Sequence, residues 1–254
     1  MSSGTPDGKM LEGRRVLVTG GSGGIGRGIC EVAAREGARV AFTYHGNRTG
    51  ADTTLELIRR HGEGLAIGAD LRERDAATRV VGEIEAAWGG LDAVINNAAV
   101  SEAVPFVLLD DEQWEDLFAL NVTGVFRLCR AAVRGMLRQK FGRIVNIGSI
   151  AGTRSIASPV HYAASKGAIE GMTRSLAHEL GRYGILTNCI SAGIFEGGLR
   201  STIPEHHQQR YIASNALGRI GQPAECGELA AWLASPRNSY MNGAVLILDG
   251  GTLA

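Results

Sequence analysis

Arg15-Val16-Leu17-Val18-Thr19-Gly20-Gly21-Ser22-Gly23-Gly24-Ile25-Gly26 is the stretch whose reading decides the fold. Its first five residues are a short apolar, β-branched run closed by glycine, the pattern of a buried strand. Helical periodicity follows from about Ile25 to Glu36 and stops at Gly37. A strand, a glycine turn and a helix in that order set unpaired helix N–H groups and a partial positive charge beside the turn. That suits a pyrophosphate. Gly20, Ser22, Gly23, Gly24, Ile25 and Gly26 are therefore candidate dinucleotide-binding residues.

Outward from that stretch, apolar runs alternate with helical patterns, the signature of a parallel sheet built from βαβ units. Further strands are expected at 39–44, 64–68, 91–96, 142–149, 185–190 and 244–248. Helices are expected near 50–61, 73–88, 111–138 and 160–182. No repeat, charge block or Pro/Gly linker divides the chain. The expectation is an α/β fold: a single doubly wound parallel sheet of Rossmann type, helices on both faces, over residues 13–254. Residues 1–12 are expected to be a flexible tail.

Composition excludes several function classes. The 26 basic and 26 acidic residues cancel, so no overall field draws the chain to nucleic acid or an acidic membrane. Cys30, Cys129, Cys189 and Cys226 lie too far apart in sequence for a zinc or redox motif, and no metal site is expected. No segment approaches the ~20 apolar residues of a membrane helix. A cytoplasmic protein is the expectation.

The chemistry concentrates in His161-Tyr162-Ala163-Ala164-Ser165-Lys166-Gly167. On a helix, residues four apart lie side by side, placing the Tyr162 phenol near the Lys166 ammonium. A cation there would lower the phenol pKa and make Tyr162 a proton donor and acceptor near neutral pH. Taken alone, such a pair is more often a solvated helix face.

The loop Thr19–Gly26, the run Asn96-Asn97-Ala98-Ala99, Asn121, Ser149 and the Tyr162/Lys166 pair resemble, in order and separation, the short-chain dehydrogenases/reductases. The resemblance covers about residues 12–252. It implies a nicotinamide-dependent oxidoreductase with Asn121, Ser149, Tyr162 and Lys166 as catalytic residues. Tyr162 would protonate a carbonyl oxygen that Ser149 hydrogen-bonds, Lys166 would hold the nicotinamide ribose, and Asn121 would help hold a relay water. Asn97, Ala98, Gly193 and Phe195 would line the dinucleotide, and Asp70 and Leu71 would contact the adenine. The alternative for Asp70 is a turn cap.

The second strand ends in Tyr44-His45-Gly46-Asn47-Arg48, with no carboxylate to repel a 2′-phosphate. NADP(H) is therefore favoured over NAD(H), with Tyr44 and Arg48 at the adenosine ribose. Arg48 could equally point to water. After the sixth strand the chain departs from the family pattern N-x-x-x-P-G: Ala192 replaces proline, and Gly197 stands where a threonine is expected. Weaker nicotinamide binding or a more mobile lid over 194–215 would follow.

Within the family, the segments around Phe126, Gly142–Ser149 and Ala177–Ile185 resemble β-ketoacyl-carrier-protein reductases. That implies a ketoacyl substrate tethered to an acidic carrier protein. Arg127, Arg130, Arg134, Arg138, Lys140, Arg143 and Arg182 would offer the basic surface, or be an ordinary solvated face. A free small alcohol, ketone, sugar or steroid is the competing substrate class. A non-catalytic nucleotide-binding scaffold is the remote one. His206 and His207 read as lid surface. A homotetramer or homodimer is implied by the resemblance. Ile169, Met172, Thr173, Leu176 and Leu180 would serve as an apolar contact stripe or an internal core.

Overall fold

The structure, a computed structural model, describes residues 8–153 and 158–252. Seven parallel strands form one sheet in the order β3-β2-β1-β4-β5-β6-β7. They are β1 (Arg15–Val18), β2 (Arg39–Tyr44), β3 (Gly64–Gly68), β4 (Ala93–Asn96), β5 (Gly142–Ser149), β6 (Ile185–Ala192) and β7 (Val245–Leu248). Strand order reverses between β1 and β4, and ligands of open α/β sheets bind beyond the carboxyl ends at such a point.

Side chains alternate across the sheet and so feed two cores. Val16 and Val18 face α1 (Gly24–Arg35) and α9 (Pro223–Ala234), where Ile29, Ala33 and Ala230 are fully buried. Leu17, Val94 and Ile144 face the other way, toward α3 (Ala76–Trp88) and α5 (Val125–Gln139), meeting Val80 and Leu128. Burying both faces is what near-continuous apolar strands require.

Several boundaries differ from expectation for local reasons. α2 (Arg48–Arg59) starts two residues early because the Asn47 side chain caps it, accepting from the Gly50 N–H at 3.0 Å. The expected helix 111–138 is three pieces: α4 (Asp111–Phe118), a π-helical segment Ala119–Gly124, and α5. The flexible tail is corrected over residues 10–12. Leu11 is fully buried and its N–H donates to the Glu36 carbonyl at 2.9 Å. Residues 1–7 lie outside the described residues.

Among the described residues the other α-helices are α6 (Ile150–Thr153), α7 (Val160–Leu180) and α8 (Glu205–Ser214). In α7, Ile169, Thr173 and Leu180 are buried within the chain, and Met172 and Leu176 pack beside them, so this stripe serves the internal core. The lid segment is anchored: Tyr211 donates its hydroxyl to the Asp249 carbonyl at 2.9 Å and packs with Ile150 and Ile220. All four cysteines are buried and free.

Candidate active site

The glycine loop is gripped from two sides. The Thr19 hydroxyl accepts from the N–H groups of Asn97 and Ala98, both at 2.9 Å. The Asn97 amide donates back to the carbonyls of Thr19 (2.8 Å) and Gly20 (3.1 Å). Thr43 takes the other side, accepting from Gly20 N–H at its hydroxyl and from Gly21 N–H at its carbonyl. Asn97 thus braces the loop. Gly26 is obligatory there, since a Cβ would lie 2.2 Å from the Gly20 carbonyl oxygen.

No side chain caps the amino terminus of α1, and a Cβ on its N-cap Gly23 would meet open space. The first N–H groups of a helix have no internal acceptor. Uncapped amides beside open space fit the diphosphate of a dinucleotide, with Gly23, Gly24 and Ile25 as the nearest backbone and half-buried Ser22 completing the turn. Gly197 and Gly198, both at positive φ, lie directly over Gly24: a Cβ on Gly24 would sit 2.9 Å from the Gly198 Cα. Gly193 is tied to the Leu248 carbonyl through its N–H, and Phe195 is buried in the core with its ring against Gly221.

At the adenosine end, Arg48 is exposed and donates to Asp52 (3.0 Å) and to the Tyr44 hydroxyl (2.9 Å). These bonds hold its guanidinium pKa above the usual value. Asp70 caps a turn, accepting from the Arg72 N–H at 3.0 Å and facing the Arg72 guanidinium at 3.3 Å, while Leu71 is buried.

The reacting end gathers at the carboxyl edge of β5. Ser149 ends that strand, half-buried and near enough to the Tyr162 phenol to lower its pKa, and its Oγ accepts from the Ala151 N–H at 3.2 Å. Lys166 is buried, and its Nζ donates to the Ile147 carbonyl at 2.8 Å. Asn121, buried in the π-helical segment, exchanges two 2.9 Å bonds with the backbone of Val100 and donates to Ser165 Oγ at 3.3 Å. It therefore ties the segment after β4 to α7. π-Helical bulges recur at functional sites because they re-aim such side chains.

Tyr162 titrates opposite to expectation. Burial raises its pKa, and the neighbouring Ser149 hydroxyl offsets only part of the rise. The Lys166 ammonium does not lower it; the Nζ is 5.6 Å from the ring centre and engaged with Ile147. Burial also pushes Lys166 down to about 8, opposed weakly by Cys189. At neutral pH the phenol therefore keeps its proton and the ammonium its charge.

Arg130, Arg134 and Arg138 are exposed along α5, but not every member of the basic run is free at the surface. Arg143 is buried, donating to carbonyls of Gly142, Ser235 and Asn238. Arg127 donates to the Arg72 carbonyl at 2.7 Å, and Arg138 pairs with Glu85 at 3.6 Å. Thr43, Thr153, Glu170 and Ser191 support the site without a signal in the sequence, whereas Thr19 was marked as the residue before the first glycine of the loop.

The family model described as enoyl-(acyl carrier protein) reductase matches residues 20–252. The 3-oxoacyl-(acyl-carrier-protein) reductase FabG of Vibrio cholerae is 34% identical over 95% of this chain and 98% of its own. Its Escherichia coli counterpart is 33% identical with the same coverage. A short-chain dehydrogenase/reductase of Serratia marcescens superposes with a TM-score of 0.90 at 34% identity, covering 96% of this chain and all of that one. A dehydrogenase/reductase of Sinorhizobium meliloti gives 0.89 at 33%, covering 96% of each chain. The chain belongs to the short-chain dehydrogenase/reductase family. It is an oxidoreductase of the kind that interconverts CH–OH and C=O with a nicotinamide cofactor. The family description names an enoyl substrate and the relatives a 3-oxoacyl one.

Proposed function

We propose that the protein is an NADPH-dependent carbonyl reductase that reduces a β-ketoacyl thioester to the β-hydroxyacyl product. The observation that carries this reading is the gathering of Ser149, Tyr162 and buried Lys166 at the carboxyl end of β5, where Lys166 donates to the Ile147 carbonyl and lies 5.6 Å from the Tyr162 ring centre. The nicotinamide, when bound, supplies hydride to the carbonyl carbon. Negative charge then grows on the carbonyl oxygen, where the Ser149 hydroxyl can hydrogen-bond it and the Tyr162 phenol can deliver its proton. A phenol kept neutral by burial is in the form a donor needs. Lys166 uses one of its three donors on Ile147, leaving others for a ribose hydroxyl.

NADPH over NADH is supported by the absence of a carboxylate at the end of β2 and by exposed Arg48 beside Tyr44. The thioester reading is supported by the relatives named 3-oxoacyl-(acyl-carrier-protein) reductases. Burial of Arg143 removes one member of the basic run and favours the second reading, a free small ketone or alcohol. A homotetramer or homodimer is supported by the exposed Phe106, Val107, Leu108 and Phe126, which light scattering would test. A cytoplasmic setting accords with the described residues, where no helix is long and apolar enough to cross a membrane.

Steady-state assays decide the matter: NADPH against NADH, with acetoacetyl thioester, free and carrier-bound, beside simple ketones. Tyr162→Phe should lose roughly a hundredfold or more in turnover while still binding the dinucleotide. Full activity in that variant ends the proposal. Equal rates on free ketones, with no stimulation by carrier protein, select the second reading.

A further inference from the structure

Glu170 lies one turn beyond Lys166 on α7 and is buried, 5% exposed, yet nothing in the reaction so far uses it. Its carboxyl accepts a hydrogen bond from the Thr153 hydroxyl at the end of α6, and the Thr153 oxygen also meets the Ser191 hydroxyl on β6. Arg174 closes the other side of the carboxyl at 3.2 Å. A buried carboxylate is tolerated only when its oxygens are satisfied in this way. The result is a polar tie between β6, α6 and α7.

That tie sits immediately behind the reacting groups. Only three residues separate Ser149 from Thr153, and the Thr153 oxygen lies 3.4 Å from the Ser149 carbonyl oxygen. Ser191 stands opposite Gly148 in the β5–β6 register, one position before the Ser149–Ala192 pair. Gly152 presses its backbone on α7 so closely that a Cβ would fall 2.6 Å from the Lys166 carbonyl carbon. The short helix is thus fixed to the very turn of α7 that presents Tyr162 and Lys166.

We propose that Glu170 is a positioning residue for the reduction, holding the Ser149–Thr153 turn so that the Ser149 hydroxyl meets the Tyr162 phenol. The inference rests on the reductase reading above. Glu170 touches neither substrate nor cofactor; it acts through Thr153. Misplacing a hydrogen-bonding group by about 1 Å can cost up to a hundredfold in rate, whereas dinucleotide binding at the glycine loop is a separate matter.

The test compares the parent with Glu170→Ala, Glu170→Gln and Thr153→Val. Glu170→Ala and Thr153→Val should lower kcat by roughly tenfold to a hundredfold with KM for NADPH nearly unchanged. Glu170→Gln should keep most activity, because its amide oxygen still accepts from Thr153. A second readout needs no turnover: the Tyr162 phenol titration, taken as the absorbance difference between each protein and its Tyr162→Phe counterpart. It should move to higher pH in Glu170→Ala and Thr153→Val, where the Ser149 hydroxyl is free to drift from the Tyr162 phenol. Variants that melt earlier but keep kcat and the Tyr162 titration would make the tie structural only and overturn the proposal. A parent inactive on every carbonyl would sink the reductase reading instead, and the titration would still decide the role of Glu170.

Discussion

The Lys166 ammonium rests 2.8 Å from the Ile147 carbonyl oxygen, two residues before Ser149 on the same strand. That bond turns the side chain to the backbone of β5, and burial there holds its pKa down to about 8. The ammonium therefore loses its proton as pH rises through about 8. If its charge assists reduction, kcat/KM should stay level below that value and fall above it; a pH–rate profile flat through pH 8 to 9 would exclude such a role. The stability effect runs the opposite way. An unfolded chain keeps the lysine proton up to about 10.4, so it binds more protons than the folded one between the two values. Lys166 therefore adds stability as pH rises across that window, which chemical denaturation at several pH values would detect.

Gly197 cannot be restored to threonine at no cost. Its φ is +73°, a region that disfavours β-branched side chains, and a Cβ would lie 3.2 Å from the Gly24 Cα. Gly197→Thr should weaken dinucleotide binding several-fold and lower the melting temperature, by strain of about 1–2 kcal/mol. Fluorescence titration with NADPH and a thermal melt check both. Improved affinity would show that the missing hydroxyl matters more than the backbone.

Arg48 is expected to set coenzyme preference. Arg48→Gln should raise KM for NADPH roughly five- to tenfold and leave NADH almost unchanged, an effect that shrinks with added salt. Asp52→Asn, which releases the arginine from its carboxylate, should move preference further toward NADPH. Parallel KM measurements with both coenzymes check this; equal changes for the two would remove Arg48 from the ribose site.

Arg143 is a structural cation. Burial lowers its pKa to about 10, and its bonds gather the carbonyls of residues 142, 184, 235 and 238 beneath the sheet. Arg143→Met would strand those acceptors and cost about 2–4 kcal/mol, roughly 5–15 °C in melting temperature. Carrier-protein affinity should be unaffected in the folded fraction.

The sheet was legible because both its faces are buried, which writes each strand as an apolar run between turn residues. The positions of Ser149, Tyr162 and Lys166 followed from strand ends and helical spacing. Their electrostatics did not, since i to i+4 spacing places Cβ atoms and says nothing of where a four-carbon stem leads its ammonium. The break in the expected helix at 119–124 escaped because the Asn121 bonds to Val100 that accompany it join residues 21 positions apart. The Glu170–Thr153–Ser191 tie joins three elements and had no local signature.

The four interior thiols carry a practical consequence. Burial raises the pKa of every one, so the reactive thiolate is scarce in the native protein. Alkylating labels added under native conditions should stay silent until the chain opens. Cys30, Cys129, Cys189 and Cys226 thus form a built-in gauge of conformational opening, and storage without a reductant should be harmless.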